Sequence, residues 1–351
     1  MTVQDAAADP LAEWDFELPP ERIARHPLAR RDSSRLLVVG DTRFDGHVHD
    51  LPALLRPGDL LVVNDVRVRR ARIAARRESG GAVEVLVLRA DAAEAEVLLR
   101  PARKLRAGET LLAGPGRIDV VERLDEGRAR VRFRPSLAVI EDAVGSVPLP
   151  PYLDRAEELA DRERYQTVYA RESALAAAAA PTAGLHLTPE LLADLEARGV
   201  ERVAVTLEVG LGTFRPLTQQ MLARGRLHPE RYHVPERTWA AVERAGEEQR
   251  RVVAVGTTSV RVLESACGHG SGETDIFLQP GWQPRRVGAL LSNFHLPRSS
   301  LLMLVAAFAG RERVLAAYAH AVRQGYRFFS YGDACFFPAP APPPAGSARP
   351  G

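Results

Sequence analysis

Between residues 70 and 145 the chain is a series of short β-like runs: AVEVLVLR after Gly80-Gly81, AEVLLR, RIDVVERL, and RARVRFR after Asp125-Glu126-Gly127. Such close spacing, broken by glycine-containing turns, predicts antiparallel structure in a small barrel or sandwich. The flanks differ. GDLLVVNDV, at 58–66, has the apolar run and turn residues of a buried strand. VPLPPYL, at 147–153, is a stiff boundary, because paired prolines continue neither a helix nor a central strand.

Beyond that boundary helix and strand patterns alternate. Helices are expected near 189–198 and 236–247, from about Ser259, and near 300–308 and 311–324; strands are expected near 202–207, 251–255 and 274–278. Alternation of this kind predicts an α/β layer. The fold class is therefore mixed α/β, with the antiparallel block inserted into it. The expected division is a discontinuous main domain over 1–66 and 147–337, a barrel-like insertion over 67–146, and a disordered Pro/Ala-rich tail over 338–351.

Composition narrows the function classes. The 46% hydrophobic content supports a sizeable core, and a net charge of +2 over 351 residues does not by itself mark a nucleic-acid binder. Local clustering does more. Lys104 is the one lysine, so positive charge is almost all guanidinium, and Arg67, Arg69, Arg70, Arg72, Arg76 and Arg77 fall close together. Cys267 and Cys335 form no CxxC pair and lie outside any regular histidine spacing, which predicts neither a disulfide framework nor a metal site. The chain starts without a signal-peptide pattern, and its longest apolar run, 301–310, is too short to span a bilayer, so a cytoplasmic protein is expected.

Five stretches carry groups suited to chemistry. VVAVGTTSVRVLES, at 252–265, sets Gly256, Thr257, Thr258 and Ser259 between strand and helix, with Arg261 one step along, a turn able to hold a carboxylate or phosphate. It is neither a Walker A loop nor a GxGxxG. PTAGLHL presents Thr182, Gly184 and His186; LEVGLGTFRP presents Glu208, Gly210, Thr213 and Arg215; LHPERY presents His228 and Glu230, an acid–base pair if the side chains converge. SNFHLPRSSLLM, at 292–303, places Asn293, His295 and Arg298 ahead of an apolar helix that Ser299 or Ser300 can cap. Each alone is equally an ordinary turn, cap or packed side chain.

In order, NDVRV, VPLPPYL, DRERYQTVYA, APTAGLHL, VGLGTFRP, GTTSVRVLESA, GETDIF, SNFHLPRSSLLMLVAAFAGRER and GYRFFSYGDA resemble the S-adenosylmethionine:tRNA ribosyltransferase-isomerases of queuosine biosynthesis. The resemblance runs from WDFELPPERIARHP, at 14–27, to about Ala334. It implies transfer and isomerisation of the ribosyl unit of S-adenosylmethionine, a cosubstrate, onto 7-aminomethyl-7-deazaguanine in a tRNA anticodon, giving epoxyqueuosine and releasing adenine and methionine. That chemistry calls for a base at the carbon beside the sulfonium, a proton donor for adenine, a carboxylate grip and a basic surface. His186, His228 and His295 are the acid–base candidates, with Glu208, Glu230 and Asp333 beside them. Thr182, Gly184, Gly210, Thr213, Arg215, Arg298, Asn293 and the turn from Gly256 to Arg261 are the binding candidates, and Arg67, Arg69, Arg70 and Arg72 the phosphate contacts. No metal is implied, and a monomer or weak homo-oligomer is expected.

The pattern departs from the family at Glu208, where histidine is usual, at Pro229, where serine is usual, and at Leu187, Gln279, Val66 and the 176–180 alanines. A divergent paralogue that keeps the fold and S-adenosylmethionine but uses a small-molecule acceptor, such as a deazapurine, or a different reaction is therefore the alternative, and release of adenine without modified tRNA, or no release, would mark it. A non-enzymatic RNA-binding protein is a third reading, which the sparse aromatics between 67 and 135 disfavour.

Overall fold

Residues 60–64 and 252–255 are apolar at nearly every position, as suits strands covered on both faces. The computed structural model describes residues 9–91, 94–103, 105–172, 176–210 and 217–340, and in it these runs are neighbouring parallel strands at the middle of a nine-stranded sheet. Its strands are β1 (Arg35–Val39), β2 (Arg43–His47), β3 (Leu60–Asn64), β4 (Glu201–Leu207), β5 (Arg226–Val234), β6 (Val252–Val255), β7 (Gly270–Ile276), β8 (Ala289–Asn293) and β9 (Ala334–Phe337). Their order is β7-β5-β4-β3-β6-β8-β9-β1-β2. Strands β4, β3, β6 and β8 are parallel. Antiparallel pairings extend the sheet through β5 and β7 on one side and through β9 on the other.

Period-two alternation sends neighbouring residues to opposite cores. Leu60, Val62, Val252 and Ala254 enter one cluster; Leu61, Val63, Val253 and Val255 enter the other. Helix α1 (Pro189–Ala197) packs on the second face. The first is covered by α2 (Glu236–Glu247), α3 (Gly256–Ser265), α4 (Ser300–Ala309) and α5 (Arg311–Arg323). Thr188 caps α1 by accepting the N–H of Leu191 at 3.1 Å, and Ser299 caps α4 by accepting that of Leu302 at 3.2 Å, each worth about 1 kcal/mol.

Between β3 and β4 the strands Arg72–Arg77, Ala82–Ala90, Ala95–Arg100, Thr110–Ala113, Gly116–Arg123 and Arg128–Arg134 form an antiparallel barrel. It closes where Arg76 and Arg77 pair with Leu112 and Leu111. RARVRFR shows why: Ala129, Val131 and Phe133 are buried inside, while the arginines alternate with them. The interior is a cluster of its own, with Val85, Val97, Leu111 and Ile118. A mixed α/β fold with an antiparallel barrel is thus what the spacing predicted.

The apolar patterns locate β3, β4, β6 and helices α1 to α5 and overlap the end of β7, but pass over β1, β2, β5, β8 and β9. Strand β5 reads RLHPERYHV, too polar to look like a strand, because much of it is exposed or half-buried. Helix α3 begins at Gly256, directly on β6, three residues before the expected start. No helix among the described residues is long and apolar enough to cross a membrane. Residues 341–351, most of the Pro/Ala-rich tail, lie outside the described residues, as do Thr213 and Arg215.

Candidate active site

Open α/β sheets gather ligands beyond the carboxyl ends of their parallel strands, where the chain order reverses. Here it reverses at β3, with β4 on one side and β6 on the other, and a cavity of about 350 Å³ opens over the ends of β4, β6 and β8. Val209 follows β4; Gly256, Thr257 and Thr258 follow β6; residues 293–298 follow β8. Tyr152 and Phe329 add a wall, their rings stacked 4.3 Å apart at 22°.

Gly256, at φ +84°, makes the turn from β6 into α3. The helix starts without a side-chain cap, so its first-turn N–H groups and positive dipole end meet the cavity. The buried hydroxyl of Thr258 has no partner there, whereas that of Ser259 donates back to the carbonyl of Val255 at 2.8 Å.

Asn293 stands at the end of β8. Its Nδ2 donates to Nε2 of His186 at 3.0 Å and to the carbonyl of Phe329 at 3.1 Å. These two acceptors fix the amide, since turning it would set Oδ1 against the Phe329 carbonyl. They also fix His186 as the tautomer with its proton on Nδ1. Oδ1 of Asn293 is buried without a partner. Burial, helped by the positive charges of Arg327 and Arg31, pushes His186 down to about 3, and burial alone pushes His295 to about 3. Both are neutral at physiological pH. His295 pairs through Nε2 with the Ser292 hydroxyl at 2.9 Å, and its backbone N–H donates to the Tyr318 hydroxyl.

A second polar group lies beside the cavity. Arg261 of α3 forms an ion pair with Glu230 of β5, the two side chains 5% and 6% exposed. Glu230 also accepts the N–H of Gly210 at 3.0 Å, while Nε and Nη2 of Arg261 have no partner among the described residues. These residues share a small void with His228 and Leu301, and Leu301 also lines the main cavity. His228 is exposed and forms no bond to Glu230, whose carboxylate turns inward to Arg261. Glu208 pairs with Arg231 at 2.7 Å, in a cleft of about 420 Å³ between the sheet and the barrel residues Glu96 and Arg128.

Thr182 lines the cavity. Gly184 packs so tightly that a Cβ there would lie 2.0 Å from the Tyr169 hydroxyl. Arg298 is on the cavity wall with its guanidinium engaged by Asp9 and Asp15. Asp333 is absent from the lining, its oxygens accepting the N–H groups of Arg35 at 2.9 Å and Arg327 at 2.7 Å. Arg69 is held bidentately by Glu141, Arg70 by Asp142, and Arg72 bonds the carbonyl of Leu149; Arg67, about half exposed, reaches among the described residues only Glu172, at 4.0 Å. Sequence reasoning had no candidate in Tyr152, Phe329 or Ser330, whose hydroxyl contacts that of Tyr152. Only the packing of 152 against 329 turns a proline-rich boundary into a cavity wall. The metal-ligating side chains that converge among the described residues are His47, His49 and Asp50, which are not in the cavity lining.

Residues 11–337 match the family described as queuosine biosynthesis protein. The chain belongs to this family. Similar proteins named S-adenosylmethionine:tRNA ribosyltransferase-isomerase include that of Citrifermentans bemidjiense, 48% identical over 342 residues, covering 93% of this chain and 99% of its own. The one from Heliobacterium modesticaldum is 48% identical, covering 92% and 98%. A crystal structure of S-adenosylmethionine tRNA ribosyltransferase from Thermotoga maritima is 34% identical, with a TM-score of 0.54 over 93% of this chain and all of that one. The queuosine family thus spans both the sheet that carries the cavity and the barrel.

Proposed function

We propose that the chain is an S-adenosylmethionine:tRNA ribosyltransferase-isomerase, which moves the ribosyl unit of S-adenosylmethionine onto 7-aminomethyl-7-deazaguanine in tRNA and isomerises it, with loss of adenine and methionine. The observation that carries this reading is identity of nearly half of all residues along almost the entire length of enzymes so named. The cavity fits the donor: apolar walls and the Tyr152–Phe329 pair suit a purine, and the uncapped start of α3 with Thr258 suits a carboxylate or ribose hydroxyl.

S-adenosylmethionine supplies a sulfonium that acidifies the neighbouring ribose carbon and a methionine leaving group. The residues must hold it, exclude water and move protons. At a pKa of about 3, His186 and His295 are poor proton donors at neutral pH, so we assign them hydrogen-bonding roles and give proton exchange to His228, exposed beside Glu208 and Glu230. The carboxylate of Glu208, where the family resemblance leads one to expect imidazole, is balanced by Arg231 at 2.7 Å. The carboxylate is therefore locally paired rather than left as a lone charge in the cleft. Of the four arginines nominated for tRNA phosphates, Arg67 has the least committed guanidinium.

The test is release of adenine and methionine, followed by mass spectrometry with no acceptor, unmodified tRNA, and tRNA carrying 7-aminomethyl-7-deazaguanine. Release only with the last, together with a heavier nucleoside in its digest, is expected; release independent of that base would refute the reading.

A further inference from the structure

We propose that Asn293 offers the bound substrate an acceptor only, held that way by His186 as a positioning residue, so that this subsite takes an amino group on a purine-type ring. The inference rests on the reaction proposed above and names the chemistry of one contact within it.

Asn293 is 2% exposed and lies on the cavity wall. Both of its amide hydrogens are directed to protein acceptors, Nε2 of His186 at 3.0 Å and the carbonyl of Phe329 at 3.1 Å. What remains is Oδ1, buried and unpartnered, a state that a folded protein rarely leaves uncompensated. A ligand atom meeting it must donate. The carbonyl that orients Asn293 belongs to the same residue whose ring stacks on Tyr152 in the wall. Phe329 thus ties a flat apolar surface to a fixed acceptor, a combination suited to a heteroaromatic ring bearing an amine. His186 does its part through the lone pair on Nε2 that accepts from Asn293, and burial, which lowers its pKa to about 3, keeps that nitrogen unprotonated at neutral pH.

The adenine of the donor and the deazaguanine of the tRNA both carry such an amine. Equilibrium binding to the wild-type chain distinguishes them. S-adenosylhomocysteine is compared with its counterpart bearing hydrogen in place of the 6-amino group. Modified tRNA is compared with one lacking the 2-amino group on the same base. One of these deletions is expected to weaken binding by about 10- to 100-fold, the range for leaving a buried polar group unpaired; less than about twofold for both would overturn the proposal. His186→Gln, which keeps an acceptor near the Nε2 position, should preserve the discrimination. His186→Leu should reduce it to near unity. Because the readout is a ratio between two ligands, loss of folded protein does not mimic the effect, and the ligand deletions decide the matter if the leucine variant fails to fold. Adenine release without discrimination would remove the Asn293 assignment and leave the reaction standing. Discrimination without base-dependent release would do the reverse.

Discussion

Replacing Glu230 by glutamine tests whether Arg261 and Glu230 form a buried ion pair that contributes to stability. Both side chains are at least nine-tenths buried, so Glu230→Gln strands a guanidinium with two nitrogens already lacking partners. Breaking a buried pair from one side costs about 3–5 kcal/mol. The lower end is expected, about 3 kcal/mol, because the glutamine carbonyl can still accept the N–H of Gly210. Arg261→Met should cost a similar amount by removing the buried guanidinium that Glu230 pairs with. The double variant Glu230→Gln with Arg261→Met removes both charges while keeping an acceptor for the N–H of Gly210, and should lie within about 1 kcal/mol of wild type, far from the sum of the singles. Urea unfolding followed by tryptophan emission reads this directly, since Trp14, Trp239 and Trp282 all pack on the core of the large sheet and none on the barrel. Turnover should be lost in the double variant despite its recovered stability, because α3 then presents no charge beside the cavity. Singles below about 1 kcal/mol that add in the double would refute the reasoning, showing a hydrated pair.

The neutral histidines set a pH dependence. Unfolded histidine titrates near 6.5 and both buried ones near 3, so the unfolded chain binds more protons between those values and stability falls as pH drops from 6.5 towards 3. The loss is about 2 kcal/mol per histidine at pH 5, partly offset by Asp333, whose pKa burial raises; His186→Gln should remove about half of the slope in urea midpoints. Gly184→Ala should cost about 1–3 kcal/mol in thermal melts by overpacking against Tyr169, and Tyr169→Phe should recover part of it, since the hydroxyl it removes has no partner. Arg67→Ala should lower the slope of log affinity for tRNA against log salt by about 0.9, whereas Arg69→Gln, which breaks the pair with Glu141, should leave that slope unchanged; equal slopes in both would remove Arg67 from the interface.

Legibility in this sequence follows the range of the forces involved. Strands β3 and β6 were readable because burial on both faces writes a continuous apolar run, and the last barrel strand because burial on one face writes alternation. Ser299 was readable as a cap because the N–H it accepts lies three residues away. Strand β5 was not, since its strand character comes from partners in β4 and β7 rather than from its own composition.

The same limit explains the site. His228 and Glu230 are two residues apart and look like a pair, yet a buried carboxylate is governed by the nearest buried cation, and that is Arg261, 31 positions away. Asn293 and His186 are 107 positions apart and share a hydrogen bond only because β8 and the turn after Pro181 end on the same side of the sheet. Local sequence thus names the residues with chemistry in them, but desolvation decides what each can do. Burial holds His186 and His295 neutral, and on the function proposed above their part is geometric, with proton transfer left to groups at the cleft between sheet and barrel.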